Sequence, residues 1–509
     1  MKIIPIVMLA LLPAVSYAQD AAHKGAHAHP VLGHVNFRNS GNAAAQLSFQ
    51  RGVALLHSFE YEDAAEAFKQ AQQADKSLAL AYWLEALTYS HVLWGEEDLK
   101  ESRAVLARLG STSQERLAQA KTDRERAFGA AVEAFFADTS LQVRATAYAD
   151  SLLKLAAADP SDHEAAAFAA IGSMFAWYST APNARNKYNA VVRDEALRVF
   201  RQNAQHPGAA HYLIHFVDMN PHAAKDALEF ARAYDKIAPD AEHALHMPSH
   251  VYLPLGLWQD VVASNERAWA ASRKDVLEKK VDAENNSWHS LDWLQYSYLQ
   301  LDRQRDARAL VDTAHAILKG ARISDDNPDA RNIVNQLAFR YGMETGKWDA
   351  FPNGIPAIDV VLNQPRPNQR SWGFATTAAY QIAVAALRGR NDRAPAETVI
   401  RVFRATADTM PPAMAQRAAT LRRLASQLEA QLAFADGNHE RAITLLREIA
   451  PTEPSNASLP PTIIPSYELL GDVLLAAQRP AEAAEAYQKA LDLRANRSAA
   501  ARGLERARK

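Results

Sequence analysis

From about residue 43 onward, apolar residues recur three and four positions apart, with polar residues filling the intervening places. That period is the signature of amphipathic helices, and it predicts helix along almost the whole chain. Small and aromatic residues repeat within the pattern at fixed offsets. Gly52, Tyr61, Ala64, Phe68 and Ala71 form one such set near the start, and Tyr467, Leu470, Gly471, Leu474, Ala483, Tyr487 and Ala490 form a cleaner one near the end. The offsets have a packing reason. Small residues let two helices of a hairpin approach closely, and the aromatics fill the gap to the next hairpin.

These offsets resemble the tetratricopeptide (TPR) repeat, a helical hairpin of about 34 residues. Weaker units read through Leu80–Leu109, Gly208–Pro239, Glu242–Arg273, Trp288–Lys319 and Asn332–Pro352, and again around Asn438 and His439, with Ala430 and Ala442 at matching offsets. The resemblance implies an all-α solenoid of TPR-like hairpins, wound into a superhelix with a concave groove. The predicted order is N-terminal repeats over 43–110, a helical segment without the repeat frame over 111–205, and histidine-bearing repeats over 206–350. An irregular loop over 351–372 follows, then helices over 373–450, a proline-rich linker over 451–463, and a last repeat with its capping helix over 464–509. Asp159-Pro160 and Ala181-Pro182 mark turns in the segment without the frame.

The first 18 residues read differently. Lys2, the apolar run Ile3–Val15 and the small residues of Ser16-Tyr17-Ala18 have the form of a cleavable export signal. Residues 19–42, with His23, His27, His29 and His34 among Gly, Ala and Pro, show no helical period and predict a disordered histidine-rich tail. No later run reaches the roughly 18–20 apolar residues of a membrane span. The expectation is an exported, soluble protein of a periplasm or the cell exterior. Lys and Arg number 56 against 58 Asp and Glu, which removes the basic footprint of a nucleic-acid binder. There is no cysteine, so disulfides and thiolate ligands are excluded and any soft-metal site must use His, Met or carboxylates.

Candidate chemistry gathers between His206 and Trp258, where His206, His211, His215, His222, His243, His246 and His250 fall, out of 17 histidines in the chain. His211/His215 and His246/His250 are each four apart, so on helices each pair projects from one face. Two such helices side by side can build a metal site, and the expected ligands are His211, His215, His246 and His250 around one ion of zinc, copper or iron. The TPR resemblance, with the register set by Gly256, Asp302 and Gly346 at the hairpin turns, implies a groove face carrying His243, His246, His250, His289, Asp292 and Tyr296. Asp218, His243, His289, Asp292 and Tyr296 are therefore expected around the ligands, and Arg340, one repeat on, as a grip for an anionic group. Pro248 should kink the helix that carries His246 and His250. His57 and His91 read as turn residues packed on aromatics.

No phosphate-binding glycine loop, dinucleotide fingerprint, Gly-x-Ser-x-Gly elbow or His-Glu-x-x-His is present. Two readings follow. One is a scaffold whose concave groove binds a peptide or protein segment, with a histidine-rich metal site in it. The other is a metal-dependent enzyme, hydrolase or oxidase, built on the solenoid. Export would leave a mature chain beginning at Gln19. Mass spectrometry of the exported protein checks this, and an intact Met1 would contradict it.

Overall fold

The computed structural model describes residues 30–180, 185–325, 327–366, 369–454 and 459–509. The signal segment, the tail before residue 30, the Ala181-Pro182 turn, Pro367 and the middle of the proline-rich linker lie outside them.

The described residues form an all-α array of antiparallel hairpins. Ala43–His57 pairs with Tyr61–Ala74, Pro207–Met219 with Leu228–Ile237, Trp288–Gln300 with Gln304–Leu318, and Ser466–Ala476 with Pro480–Leu493. Several turns close through one residue in the left-handed region, among them Phe59, Gly256, Asp302, Gly346 and Gln478. A left-handed residue after a helix satisfies its last carbonyls and reverses the chain. Between 113 and 202 the helices continue without the repeat frame, as Ser113–Leu117, Asp123–Phe135, Leu141–Ala158, His163–Ser179 and Asn186–Gln202.

Two local features depart from the sequence expectation, and a third, at Pro248, follows it. Residues 31–42 are held against the protein rather than loose. Phe37 is fully buried among Phe49, Phe128 and Phe168, His34 donates its backbone N–H to the Gln205 carbonyl at 2.8 Å, and Arg38 pairs with Asp159. One large aromatic residue suffices to anchor a strand that lacks a helical period. The hairpin Ala79–Leu87/Leu99–Leu109 is interrupted by a small ribbon, in which Ser90–His91 pairs antiparallel with Glu96–Glu97 around Val92–Trp94. At Pro248 the helix is divided into Glu242–His246 and Ser249–Tyr252, with Met247 and Pro248 themselves in the right-handed helical region.

Buried apolar side chains form two clusters, one running from Leu32 to Val261 and the other from Val262 to Ala507. They meet at Trp288–Gln300, which gives Trp293 and Tyr296 to the first cluster and Trp288, Leu291 and Leu294 to the second. This helix is buried on nearly all sides because both halves of the array pack on it. The ends fold back on the middle as well. Arg497 is buried between Glu344 and Glu468, and Asn496 donates to the Leu255 carbonyl at 3.0 Å.

In the last repeat, a Cβ added at Gly471 would lie 2.7 Å from the Tyr487 ring, which is also wedged against Gly503. Gly471→Leu should therefore force the final helices apart. Overpacking of this kind costs about 1–3 kcal/mol, and nearest-neighbour coupling should confine the damage to the C-terminal end. Hydrogen exchange mapped along the chain checks this; equal melting around 206–258 would contradict it.

Candidate metal centre

Three successive hairpins bring six histidines together. His211 and His215 lie on Pro207–Met219, a helix begun by Pro207 at its first position and capped by the His206 ring, whose Nδ1 accepts from Ala209 N at 3.2 Å. His243 and His246 lie on Glu242–His246, His250 on Ser249–Tyr252, and His289 on Trp288–Gln300. Their ligand atoms fall into two sets of three. His211, His215 and His243 form one, and His246, His250 and His289 the other; within each, one nitrogen per ring lies within 4.8 Å of the rest. The one cage expected from sequence, His211, His215, His246 and His250, spans both sets. The two pairs sit in different sets, and His243 and His289 complete them instead of standing behind.

The ring nitrogens facing away from each set are held by acceptors. His211 Nδ1 donates to the His57 carbonyl at 2.7 Å. His246 Nδ1 donates to Asn265 Oδ1 at 2.7 Å, and the Asn265 amide is oriented by its own bond to the Val261 carbonyl at 2.8 Å. Asp218 accepts from His215 Nδ1 and from His250 Nδ1, each at 2.9 Å, and so ties the two sets together. A neutral imidazole carries one proton, so these bonds leave a bare lone pair on each Nε2. His246 Nε2 and His250 Nε2 nevertheless face each other at 3.1 Å, whereas His243 Nε2 can carry its ring's proton and donate to His211 Nε2 at 3.2 Å. His215 Nε2 is buried without a hydrogen-bond partner.

Burial works against protonation of five of the six rings. Burial drives His211, His243 and His246 well below the usual imidazole range, and neighbouring imidazoles add to the effect. Burial also lowers His215, against the opposing pull of Asp218, and takes His289 down to about 4. Burial opposes ionisation of Asp218, but the His250 and His215 rings outweigh it and hold this carboxyl below the ordinary carboxylate range.

Of the other residues predicted from sequence, Asp218 lies where expected. Asp292 is engaged elsewhere, bonded by Arg340 and by Gln336 at 2.7 Å. Arg340 is buried in that pair and is therefore not a free anion grip, which corrects the expectation for it. Tyr296 is buried with its hydroxyl 3.3 Å from Arg497, away from the histidines. His91 stacks on Tyr61 at 4.1 Å, as a turn residue on an aromatic should. His57 is different from that expectation. It is fully buried, bonded through Nδ1 to the Tyr212 hydroxyl at 2.7 Å and through Nε2 to Glu164 at 3.0 Å, with His206 on the other side of the carboxylate. Both His57 nitrogens are occupied, so this group braces the fold while its main chain holds His211.

Sequence reasoning missed the aromatic walls. Trp293 lies 4.6 Å from the His250 ring and 5.0 Å from His246, Phe59 lies 4.4 Å from His211, and Trp94 lies 6.1 Å from His243. The four most buried ligands, His211, His215, His246 and His250, form the back of the site. His243 is half-buried, and His289 is exposed to a cavity of about 180 Å³ bounded also by Trp293, Asp292, Phe374 and Leu459. A larger cavity of about 610 Å³ shares Gln336, Phe374 and Thr462 with it and reaches Trp94.

Residues 464–497 match the tetratricopeptide-repeat family model. No curated protein matches the chain. Among solved structures it is similar to the TPR domain of P58(IPK), at 13% identity over 92% of this chain and 98% of that one, with a TM-score of 0.22. It is also similar to a monomeric mutant of IFIT1 with Gppp-AAAA, at 14% identity over 91% and 90% of the two chains, TM-score 0.36. A third is the Cut9-Hcn1 hetero-tetramer of the APC/C, at 12% identity over 93% and 78%, TM-score 0.34. At such scores no residue role passes from these proteins to this one.

The buried neutral imidazoles set a pH dependence for the metal-free chain. His57, His211, His215, His243, His246 and His289 all titrate lower in the folded than in the unfolded state. Below an unfolded imidazole value of about 6.5 the unfolded chain binds more protons, so stability must fall as pH falls. The Glu60 and Glu242 carboxyls, raised by burial to about 8 and about 7, act in the opposite direction, so the histidine effect is read in the Glu60→Gln/Glu242→Gln chain, whose melting temperature should drop between about pH 6.5 and 4. Thermal melts in metal-free buffers check this, and a midpoint unchanged down to pH 4 would contradict buried neutral histidines.

Proposed function

We propose that this tetratricopeptide-repeat chain is a metalloprotein whose scaffold holds two transition-metal ions, one per set of three histidines. The observation carrying this reading is the pair of facing nitrogens, His246 Nε2 and His250 Nε2 at 3.1 Å, each ring having its Nδ1 already turned to an acceptor, together with the buried His215 Nε2 that has no hydrogen-bond partner. Two lone pairs at that distance repel. A proton between them would make an imidazolium, which burial opposes at His246. Two nitrogens bound tetrahedrally to one ion at about 2.0–2.1 Å stand about 3.3 Å apart, so one pair in each set already has the spacing of two ligands on one metal.

Imidazole suits zinc, copper, iron and nickel alike. The charge balance favours copper. Six neutral ligands and one carboxylate, Asp218, leave little negative charge to compensate buried cations, and monovalent copper asks for least. Three histidines leave an open position on each ion, facing the cavity side of His243 and His289. Copper there supports oxidative chemistry, whereas zinc would activate water. A peptide-binding scaffold remains the use that the repeat fold suggests elsewhere on the surface. At the histidines the concave side is covered by the chain's own Phe374, Leu459, Pro460 and Thr462, which favours a small molecule over a peptide. Export, as the N-terminal segment predicts, would have this site work outside the cytoplasm.

The test uses the tag-free full chain with His23, His27, His29 and His34 replaced by Ala in every sample, which silences the tail. After reconstitution, elemental analysis should give two ions per chain and a raised melting temperature. His211→Ala/His243→Ala and His246→Ala/His289→Ala should each retain one. Asp218→Asn should weaken both sites by about 10–100-fold, because the amide lacks the carboxylate's charge and turns an NH2 donor toward one of the Nδ1–H groups. Loss of one shared ion in both double variants would mean a single cage. No binding of copper, zinc, iron or nickel would end the metal reading.

A further inference from the structure

Phe59 stands in the left-handed region, at a φ of 60°, in the turn between Ala43–His57 and Tyr61–Ala74. Other hairpin turns give this conformation to Gly256, Asp302, Gly346 and Gln478. A bulky aromatic residue is strained there and glycine is not. Such strain persists where the surrounding structure holds that side chain in place, and it clusters at functional sites. The Phe59 ring touches all three histidines of the first set, with centroids 4.4 Å from His211, 5.5 Å from His215 and 5.5 Å from His243. Tyr61 and Trp94 pack on Phe59 in turn, at 5.4 and 6.2 Å. Tyr234 stacks on His211 at 5.1 Å, and the second set adjoins the first, with His250 5.8 Å from His215 and His246 6.3 Å from His243. Rings therefore enclose the first set.

Trp293 bears the same relation to the second set, at 5.0, 4.6 and 5.4 Å from His246, His250 and His289. The surroundings differ, however. Trp293 and His289 border the cavity of about 180 Å³. Phe59, which is 5% exposed, borders neither of the two cavities, and nor do His211, His215 and His243.

Resting on the two-ion reading, we infer that Phe59 closes the first ion to outside ligands, so that only the ion of His246, His250 and His289 binds a further molecule. Three histidines leave a fourth coordination position vacant on each ion. Beside the first ion a hydrocarbon ring packs against all three ligands and offers no lone pair. At the second, His289 brings the ion to a cavity wall, within reach of a small molecule that has a lone-pair nitrogen or oxygen. Phe59 is thus a residue that determines specificity, one ion being shielded and the other open.

Azide, which coordinates a vacant position on copper(II) and gives a charge-transfer band, counts the open ions. On the copper(II)-loaded full chain, with its tail histidines replaced as above, spectral titration should find one azide per two coppers. His211→Ala/His243→Ala, which keeps the second ion alone, should still bind one azide with the parent's affinity. Phe59→Gly suits the left-handed turn and removes the ring. It should hold two coppers and bind two azides. Phe59→Asn, also tolerated in that conformation, is the second variant and should do the same.

Two coppers in the parent with either no azide or two would overturn this inference and leave the metal reading intact. Loss of the azide in His211→Ala/His243→Ala would overturn it as well, by placing the open position on the first ion. A Phe59 variant that holds two coppers and still binds one azide would overturn the role of the ring. So would failure of both variants to hold the first copper, since Phe59 would then form that site and not close it. A parent that takes up fewer than two coppers sinks the two-ion reading, and the inference with it.

Discussion

His211 donates from Nδ1 to a main-chain carbonyl, His246 to an asparagine, and His215 and His250 together to Asp218. Each bond uses the single proton of a neutral imidazole, and each thereby decides what the opposite nitrogen can do. The inward nitrogens of these four rings become acceptors, and that of His211 faces His243 Nε2, which can donate to it. Burial works against protonating most of these rings, and on the metal reading proposed above their inward nitrogens are ligands for a cation, a use that demands their convergence.

The helical array meets this demand by dividing the labour among hairpins. One supplies His211 and His215, the next His243, His246 and His250, and a third His289, while the end of the first helix contributes only the carbonyl of His57. The interruption at Pro248 is part of the same economy. Proline removes an intrahelical bond, and the carbonyls near the break are taken by side chains instead, Leu245 by the Ser264 hydroxyl and His246 by Ser249 at 2.6 Å. His246 and His250 can then sit on two short segments, with their Nε2 atoms converging.

Such a site is costly in a metal-free fold, since buried unpaired acceptors lose water and gain nothing. The surrounding packing must bear that cost. Trp288–Gln300 does so from one side, being shared by both apolar clusters, and the aromatic rings of Phe59 and Trp293 do so from within. Arg370 and Arg497 fasten distant parts of the array to each other through paired carboxylates, which keeps the cavity walls in register with the histidines.

Much of this was legible in the order of residues. The helical period and the small-residue offsets around Gly471 determine hairpins, because close helix approach is a local requirement, and the turn residues Gly256, Asp302 and Gly346 set the register that turns His243, His246, His250 and His289 one way. Four-residue spacing likewise put His211 with His215 and His246 with His250 on common helix faces. Tertiary structure alone decided the rest. Which histidines share a set depends on how neighbouring helices cross at a broken helix, and periodicity is silent about crossing. Arg340 found Asp292 across two hairpins, and a lone arginine in a sequence gives no sign that its charge is spent. Phe37 pinned a segment with no helical period, because one buried ring outweighs a run of small polar residues. The cavity walls, drawn from Trp94, Tyr178 and Phe374, come from parts of the chain nearly 300 residues apart, and only the closed path of the array makes them neighbours.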